Sequence, residues 1–155
     1  MRKRPVPYAG GVGGQAVVEF ALMLPLVLLL LFAVIELGRA WVFTGALTDG
    51  ARAGARRATI ISNNTSFSAK VAGAARRGFS ASMKEDVAGI NILVNISAFD
   101  KASGASKPTA SVAVGDSVMV IVRTDDTIWK GVKLPFFSEP AYFVKKATMR
   151  YEGAR

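Results

Sequence analysis

The sequence predicts an α+β protein: a long N-terminal helix, a second helix and a small antiparallel sheet. Three observations predict it. Residues 16–37 form an apolar block of 22 residues, interrupted only by Glu19, Pro25 and Glu36. Residues 43–61 and 67–79 then repeat small and apolar residues at steps of three and four. From residue 90 the period becomes two. Helical spacing followed by strand spacing, with the strands grouped at the C-terminal end, predicts a sheet packed on a helix.

As a helix the apolar block rises about 1.5 Å per residue, enough to cross a hydrocarbon core of roughly 30 Å. A cleaved secretory signal is the competing reading. Its apolar region spans about 7–15 residues and ends in a small-residue cleavage site. This run is longer, no A-x-A pattern closes it, and helix-permissive sequence follows, so a retained membrane helix is expected. Arg2, Lys3 and Arg4 on one flank nearly balance Arg39, Arg52, Arg56 and Arg57 on the other. The positive-inside rule is therefore weak, and only the shortness of the N-terminal flank favours leaving that end in the cytoplasm.

Pro25 removes a backbone donor and frees the carbonyl of Ala21, so a kink or local loosening is expected there. It reads either as ordinary tolerance of Pro in a membrane helix or as flexibility used in packing. Past residue 39, Phe43, Leu47, Ala51, Gly54, Ala58 and Ile61 make one stripe, while Asp49, Arg52 and Arg56 lie on another face. This is an amphipathic continuation of the first helix, with Gly45, Gly50 and Gly54 as soft points. Residues 15–61 would extend about 70 Å if straight, about half of it beyond the lipid. The small-residue stripe permits close helix approach, and packing against the chain's own domain is the favoured use.

Asn63, Asn64 and Thr65 break the helix. Ser66 is a candidate cap for a second helix running to about Met83, with Phe67, Val71, Ala75 and Phe79 as its apolar stripe. Lys70, Arg76 and Arg77 read as a solvated face. Ile90, Ile92, Val94, Ile96 and Ala98 alternate with Asn91, Asn95 and Ser97 as a strand. Residues 100–109 read as a polar turn or loop, 111–114 as a short lead-in strand, 118–122 as a further strand and 142–151 as the last, basic on one side. The apolar segment 134–137 reads as a loop at the core edge, with a partner contact as the alternative.

Composition narrows the chemistry. The chain has 155 residues, no His and no Cys, and a formal net charge of +9. His-based triads, His or Cys metal sites, thiol catalysis and disulfides are excluded. No G-x-S-x-G and no S-x-x-K occurs, and Ser82 and Lys84 stand at the wrong spacing for the latter, so a Ser-Lys hydrolase finds no support. The net charge raises a second class, a basic protein binding nucleic acid or anionic surfaces. The scatter of the basic residues, without aromatic interleaving, argues against it.

Glu19 is the informative residue. A carboxylate in an apolar helix costs up to about 3 kcal/mol at the bilayer centre and less near an end. One reading places it at the interface. The other begins at Gly10, Gly11, Val12, Gly13 and Gly14, a stretch expected to be flexible, non-helical and open to a protease. A cut after Gly14 would give Gln15 a free α-amine, one helical turn from Glu19. Cation and carboxylate, in one chain or between neighbours in register, would each lower the other's burial cost.

Gly14, Glu19 and Phe20, followed by the apolar run with Pro25, Glu36 and Arg39, resemble the processing site and helix of TadE-like minor pilins (pseudopilins) of the tight-adherence (Tad/Flp, type IVc) pilus. The strong part of the likeness covers about residues 13–45. The ending 146–152 is similar to the family's closing strand. Some relatives carry cysteines in the outer domain and this chain carries none. The resemblance implies a leader (1–14), a transmembrane helix (15–38), an amphipathic extension (39–62) and an extracytoplasmic α+β domain (63–155).

It also implies cleavage between Gly14 and Gln15 by a membrane prepilin peptidase, leaving a net charge of +6 after a leader with three basic residues and no acid is lost. The mature chain would sit in a bacterial inner membrane, single-pass, N-terminus in and C-terminal domain out, with Glu19 and Phe20 in assembly. Its partners would be the peptidase, other Tad minor pilins and the major Flp pilin. It would act without cofactor, metal, small-molecule substrate or catalysis of its own, and with nucleic acid not a partner.

Overall fold

The computed structural model describes residues 12–83, 92–124 and 143–153. The element order is α1 (Val12–Ile60), α2 (Phe67–Met83), β1 (Ile92–Phe99), β2 (Ser106–Lys107), a 3₁₀ turn (Thr109–Ser111), β3 (Ser117–Thr124) and β4 (Val144–Arg150). The architecture is α+β, as the sequence predicts. The chain divides into two compact units, Met1–Ala40 and Trp41–Arg155.

Within the first unit the described residues are helical. α1 is already formed at Val12, so Gly13 and Gly14 are helical rather than loose. Glycine disfavours a helix by about 1 kcal/mol, but adding residues to an existing helix avoids the costly nucleation step. Pro25 lies inside α1, and the helix runs through it without a break.

The second unit holds the core. The predicted stripe is buried at all six positions, the last of them, Ile61, just past the end of α1, and Ala46, Gly50 and Ala55 join it. The predicted stripe of α2 is likewise buried. Gly50 and Gly54 are not soft points. A Cβ on Gly50 would lie 2.9 Å from the Ala75 carbonyl oxygen. One on Gly54 would lie 3.0 Å from Val120 Cγ1 and 3.1 Å from Ala75 Cβ. They are the places where α1 meets α2 and β3 too closely for a side chain. Around them Phe43 packs edge-on to Phe79, with ring centres 5.6 Å apart, and to Phe143 at 5.8 Å.

Ser66 stands directly before α2 as expected, its carbonyl accepting from the Lys70 amide at 3.0 Å, but its hydroxyl is used elsewhere. The Ser66 hydroxyl donates to Asn64 Oδ1 at 2.7 Å, and the Ser66 amide donates to the same oxygen at 3.1 Å. The turn is therefore organised by Asn64, whose carbonyl also accepts from the Phe67 amide. An Asn side chain bonding two residues ahead forms this kind of turn readily.

The sheet is antiparallel in the order β2-β1-β3-β4. Val118, Val120 and Val122 of the central strand β3 are fully buried. Val120 stands between Ile96 of β1 and Ala147 of β4. Segment 111–114 does not form the expected strand. Ser111 turns back onto the Pro108 carbonyl, and the carbonyls of Ala110 and Val112 accept from Asn63 Nδ2 at 2.8 and 3.2 Å. The polar loop 100–109 instead contains the short strand β2. Ile90, Asn91, Tyr142 and the apolar segment 134–137 lie outside the described residues.

Candidate functional site

Among the described residues, candidate functional groups gather at the start of α1 and on the helix pair of the second unit. At the start of α1, Gln15 and Glu19 share a helix face, and Gln15 Nε2 donates to Glu19 Oε1 at 2.9 Å. A carboxylate only accepts, so the contact fixes which end of the carboxamide faces it. Glu19 retains its second oxygen for another donor. Gly14 has open space around it.

Phe20 is 67% exposed, and the apolar residues from Val17 to Leu37 are exposed around the whole helix. A helix apolar on all sides needs an apolar surrounding. Its best window reaches a mean hydropathy of 2.8, so α1 is long and apolar enough to cross a membrane. At the end of the apolar block Arg39 Nη1 lies 3.4 Å from Glu36 Oε1.

Residues 14–56 match the family model described as TadE-like protein. Over this segment, 43 of the 155 residues, the chain is similar to TadE-like proteins. No curated protein and no solved structure matches the chain. The TadE-like segment takes in Gly14, Gln15, Glu19, Phe20 and Pro25, and it ends at Arg56 on the buried-stripe half of α1.

In the second unit, the charged face of α1 that the sequence predicts borders a groove. Asp49, Arg52, Ala53, Arg56, Arg57 and Ile60 of α1 line an open groove of about 480 Å³ together with Ala74 of α2. Asp49 Oδ2 accepts from the Ser82 hydroxyl at 2.8 Å. Among the described residues no carboxylate pairs with the three arginines. Arg52 and Arg56 are one turn apart, a mildly unfavourable like-charge pair. Lys70, Arg76 and Arg77 are exposed, as a solvated face should be.

A second cluster was not legible in the sequence. Asp116 is only 2% exposed and its carboxylate is fully engaged. Its Oδ2 accepts from Lys107 Nζ at 2.5 Å and from the Ala113 amide at 2.6 Å, and its Oδ1 accepts from the Lys101 amide at 3.1 Å. Lys107 holds the Asp116 carboxyl below its ordinary range, and Asp116 pushes the Lys107 ammonium up. Lys107 also reaches Asp100 at 3.3 Å. Asp100 is pulled down to about 2, first by the amides of Ser103 and Ala102 and then by Lys107. Every partner in this cluster is internal, so its chemistry is that of a clasp. It ties the β1–β2 turn to the turn before β3.

Proposed function

We propose that the protein is a membrane-anchored minor pilin (pseudopilin) that takes part in assembling a Tad-type (type IVc) adhesive pilus. A prepilin peptidase cuts between Gly14 and Gln15 on the cytoplasmic side of a bacterial inner membrane. The helix of residues 15–38 anchors the mature chain, and the C-terminal domain stands outside. The protein is structural and catalyses nothing itself. Its partners are the peptidase, other Tad minor pilins and the major Flp pilin.

The observation that carries this reading is the coincidence of the TadE-like segment with an acid set one turn from the expected new amino terminus. After cleavage the Gln15 α-amine supplies a cation at the head of an apolar helix. Glu19, with one oxygen on the Gln15 carboxamide and the other open, is its counterion in the same chain or in a neighbour. In lipid this pairing offsets the cost of burying either charge. N-terminal sequencing of the membrane-extracted protein tests the reading and is expected to begin at Gln15. Glu19→Ala is expected to stay in the membrane while filament formation falls. An intact Met1 in the mature protein, a cut near residues 38–46, or normal piliation in Glu19→Ala would overturn it.

The arginine groove favours a second reading, a membrane-anchored basic protein that binds nucleic acid or another anionic surface. Full-length protein in detergent would then bind DNA with a steep loss of affinity as salt rises. Replacing Arg52, Arg56 and Arg57 together with Gln would flatten that dependence.

A further inference from the structure

An amino-terminal glutamine carries its own electrophile. The lone pair of its α-amine can attack the side-chain carbonyl carbon Cδ. A C–N bond forms to the α-nitrogen, the Cδ–Nε2 bond breaks, and Nε2 leaves as ammonia with the proton taken from the amine. The product is a five-membered lactam. No electron is gained or lost and no co-reactant is needed. The product is also neutral, so the cation required opposite Glu19 would be gone.

We propose that Glu19 protects the mature amino terminus from this cyclisation by holding both reacting groups of Gln15. The inference rests on cleavage at Gly14 as described above. Its basis is the Gln15 Nε2 to Glu19 Oε1 hydrogen bond of 2.9 Å. Ring closure requires the carboxamide to fold back onto its own α-nitrogen and Nε2 to depart. While Nε2 is donated to a carboxylate one turn further along the helix, neither movement is available until that bond breaks.

The second oxygen of Glu19 acts on the other partner of the reaction. An α-amine paired to it as an ammonium has no lone pair with which to attack. One carboxylate thus withholds the electrophile through a hydrogen bond and the nucleophile through an ion pair. Both interactions strengthen where water is scarce, as at the edge of a hydrocarbon core. Glu19 therefore has a role in each subunit, besides any contact between subunits: it preserves the charge that assembly uses.

The test follows the N-terminal peptide of the full-length, processed protein in its membrane by mass spectrometry over time. The wild-type peptide is expected to begin at Gln15, keep its full mass and remain reactive to amine labels. In Glu19→Ala a form lighter by one ammonia and blocked to labelling should accumulate about tenfold faster, the factor supplied by one hydrogen bond to a charged group. Glu19→Gln keeps an acceptor at the same place and should cyclise more slowly than Glu19→Ala. Gln15→Ala has no carboxamide and should give no lighter form.

A wild-type terminus that is fully cyclised at the first time point would overturn the inference. So would equal rates in wild type and Glu19→Ala, or in Glu19→Gln and Glu19→Ala. Processing itself is read separately in the same spectra. A peptide that still contains residues 1–14 would overturn the cleavage reading and this inference with it.

Discussion

The hydroxyl of Tyr151 donates to the carbonyl of Ile61 at 3.0 Å, across 90 positions of sequence. The carbonyls at the end of α1 have no amide partner further along the helix. The chain just after β4 supplies donors instead: the Tyr151 hydroxyl to Ile61, and the Glu152 amide to Thr59 at 3.3 Å. Tyr151 also packs its ring edge-on against Phe67 with centres 6.2 Å apart. Tyr151→Phe keeps the ring and removes the donor, leaving a buried carbonyl unpaired. The unit Trp41–Arg155 should lose about 1–3 kcal/mol. Urea unfolding of the full chain in detergent, followed by circular dichroism, measures it. An unchanged midpoint would show that another donor reaches Ile61.

Gly78 and Gly45 are both helical glycines, and substitution by Ala should move stability in opposite directions. A Cβ at Gly78 would lie 2.6 Å from Ala53 Cβ and 3.1 Å from the Asp49 carbonyl oxygen, so α1 and α2 would have to separate. Overpacking of this kind costs about 1–3 kcal/mol. Gly45 has nothing within reach, and an added methyl there only restricts the unfolded chain and favours the helix. Gly45→Ala should stabilise by about 0.5–1 kcal/mol. The same urea experiment compares the two.

These contrasts show what the sequence made legible. The stripes of α1 and α2 could be read because burial follows helical spacing, and β1 and β3 because burial alternates along a strand. The role of Gly50 and Gly54 could not. A glycine in a helix looks the same whether it loosens the chain or admits a neighbour, and only the crossing with Ala75 and Val120 decides. Segment 111–114 misled because Val112 and Val114 alternate in sequence while its backbone bonds go to turns and side chains: the Ser111 amide to Pro108, the Val112 carbonyl to Asn63, nearly fifty residues away, and the Ala113 amide to Asp116. The Lys107–Asp116 pair was invisible because it joins residues whose proximity depends on the completed fold, whereas the groove was legible in part: Asp49, Arg52 and Arg56 share a helix face by spacing alone, and only the wall at Ala74 of α2 needed the fold. At the head of α1 the i, i+4 spacing is local, so the Gln15–Glu19 contact could be anticipated.

Phe79 should be the most costly single truncation in the helix pair. It is 2% exposed, it meets Phe43 edge-on, and its backbone lies against Gly50. Phe79→Ala would leave a cavity where α2 crosses α1, and the tight glycine contacts limit how far the helices can collapse into it. The expected loss is about 3–5 kcal/mol. Lys70→Ala, on the exposed face of the same helix, should change stability by less than about 0.5 kcal/mol. A loss in Phe79→Ala no larger than in Lys70→Ala would contradict this packing.

The Lys107 clasp should give the second unit a stability plateau with an acid edge and an alkaline edge. Asp100 falls from 3.8 to about 2 on folding, and Asp116 shifts in the same direction. A depressed carboxyl contributes stability that is fully present above its unfolded value and is lost as pH falls through its folded value. The acid edge should therefore lie between about pH 4 and pH 2. Lys107 is raised above 10.5, so its contribution is present below that value and is lost as pH rises through the higher folded one. Thermal melting of the full chain in detergent between pH 2 and pH 6 should show Tm falling more steeply in the wild type than in Asp100→Asn, which cannot titrate at that position. Asp116→Asn should lower Tm most at pH 6 and progressively less toward pH 2, where the wild-type carboxyl loses its own charge. Its buried site is built for a carboxylate accepting from Lys107 and two backbone amides, and a neutral amide leaves the Lys107 ammonium without its closest counterion. Superimposable pH profiles for the wild type and Asp100→Asn would show that the β1–β2 turn is held by something other than this carboxylate.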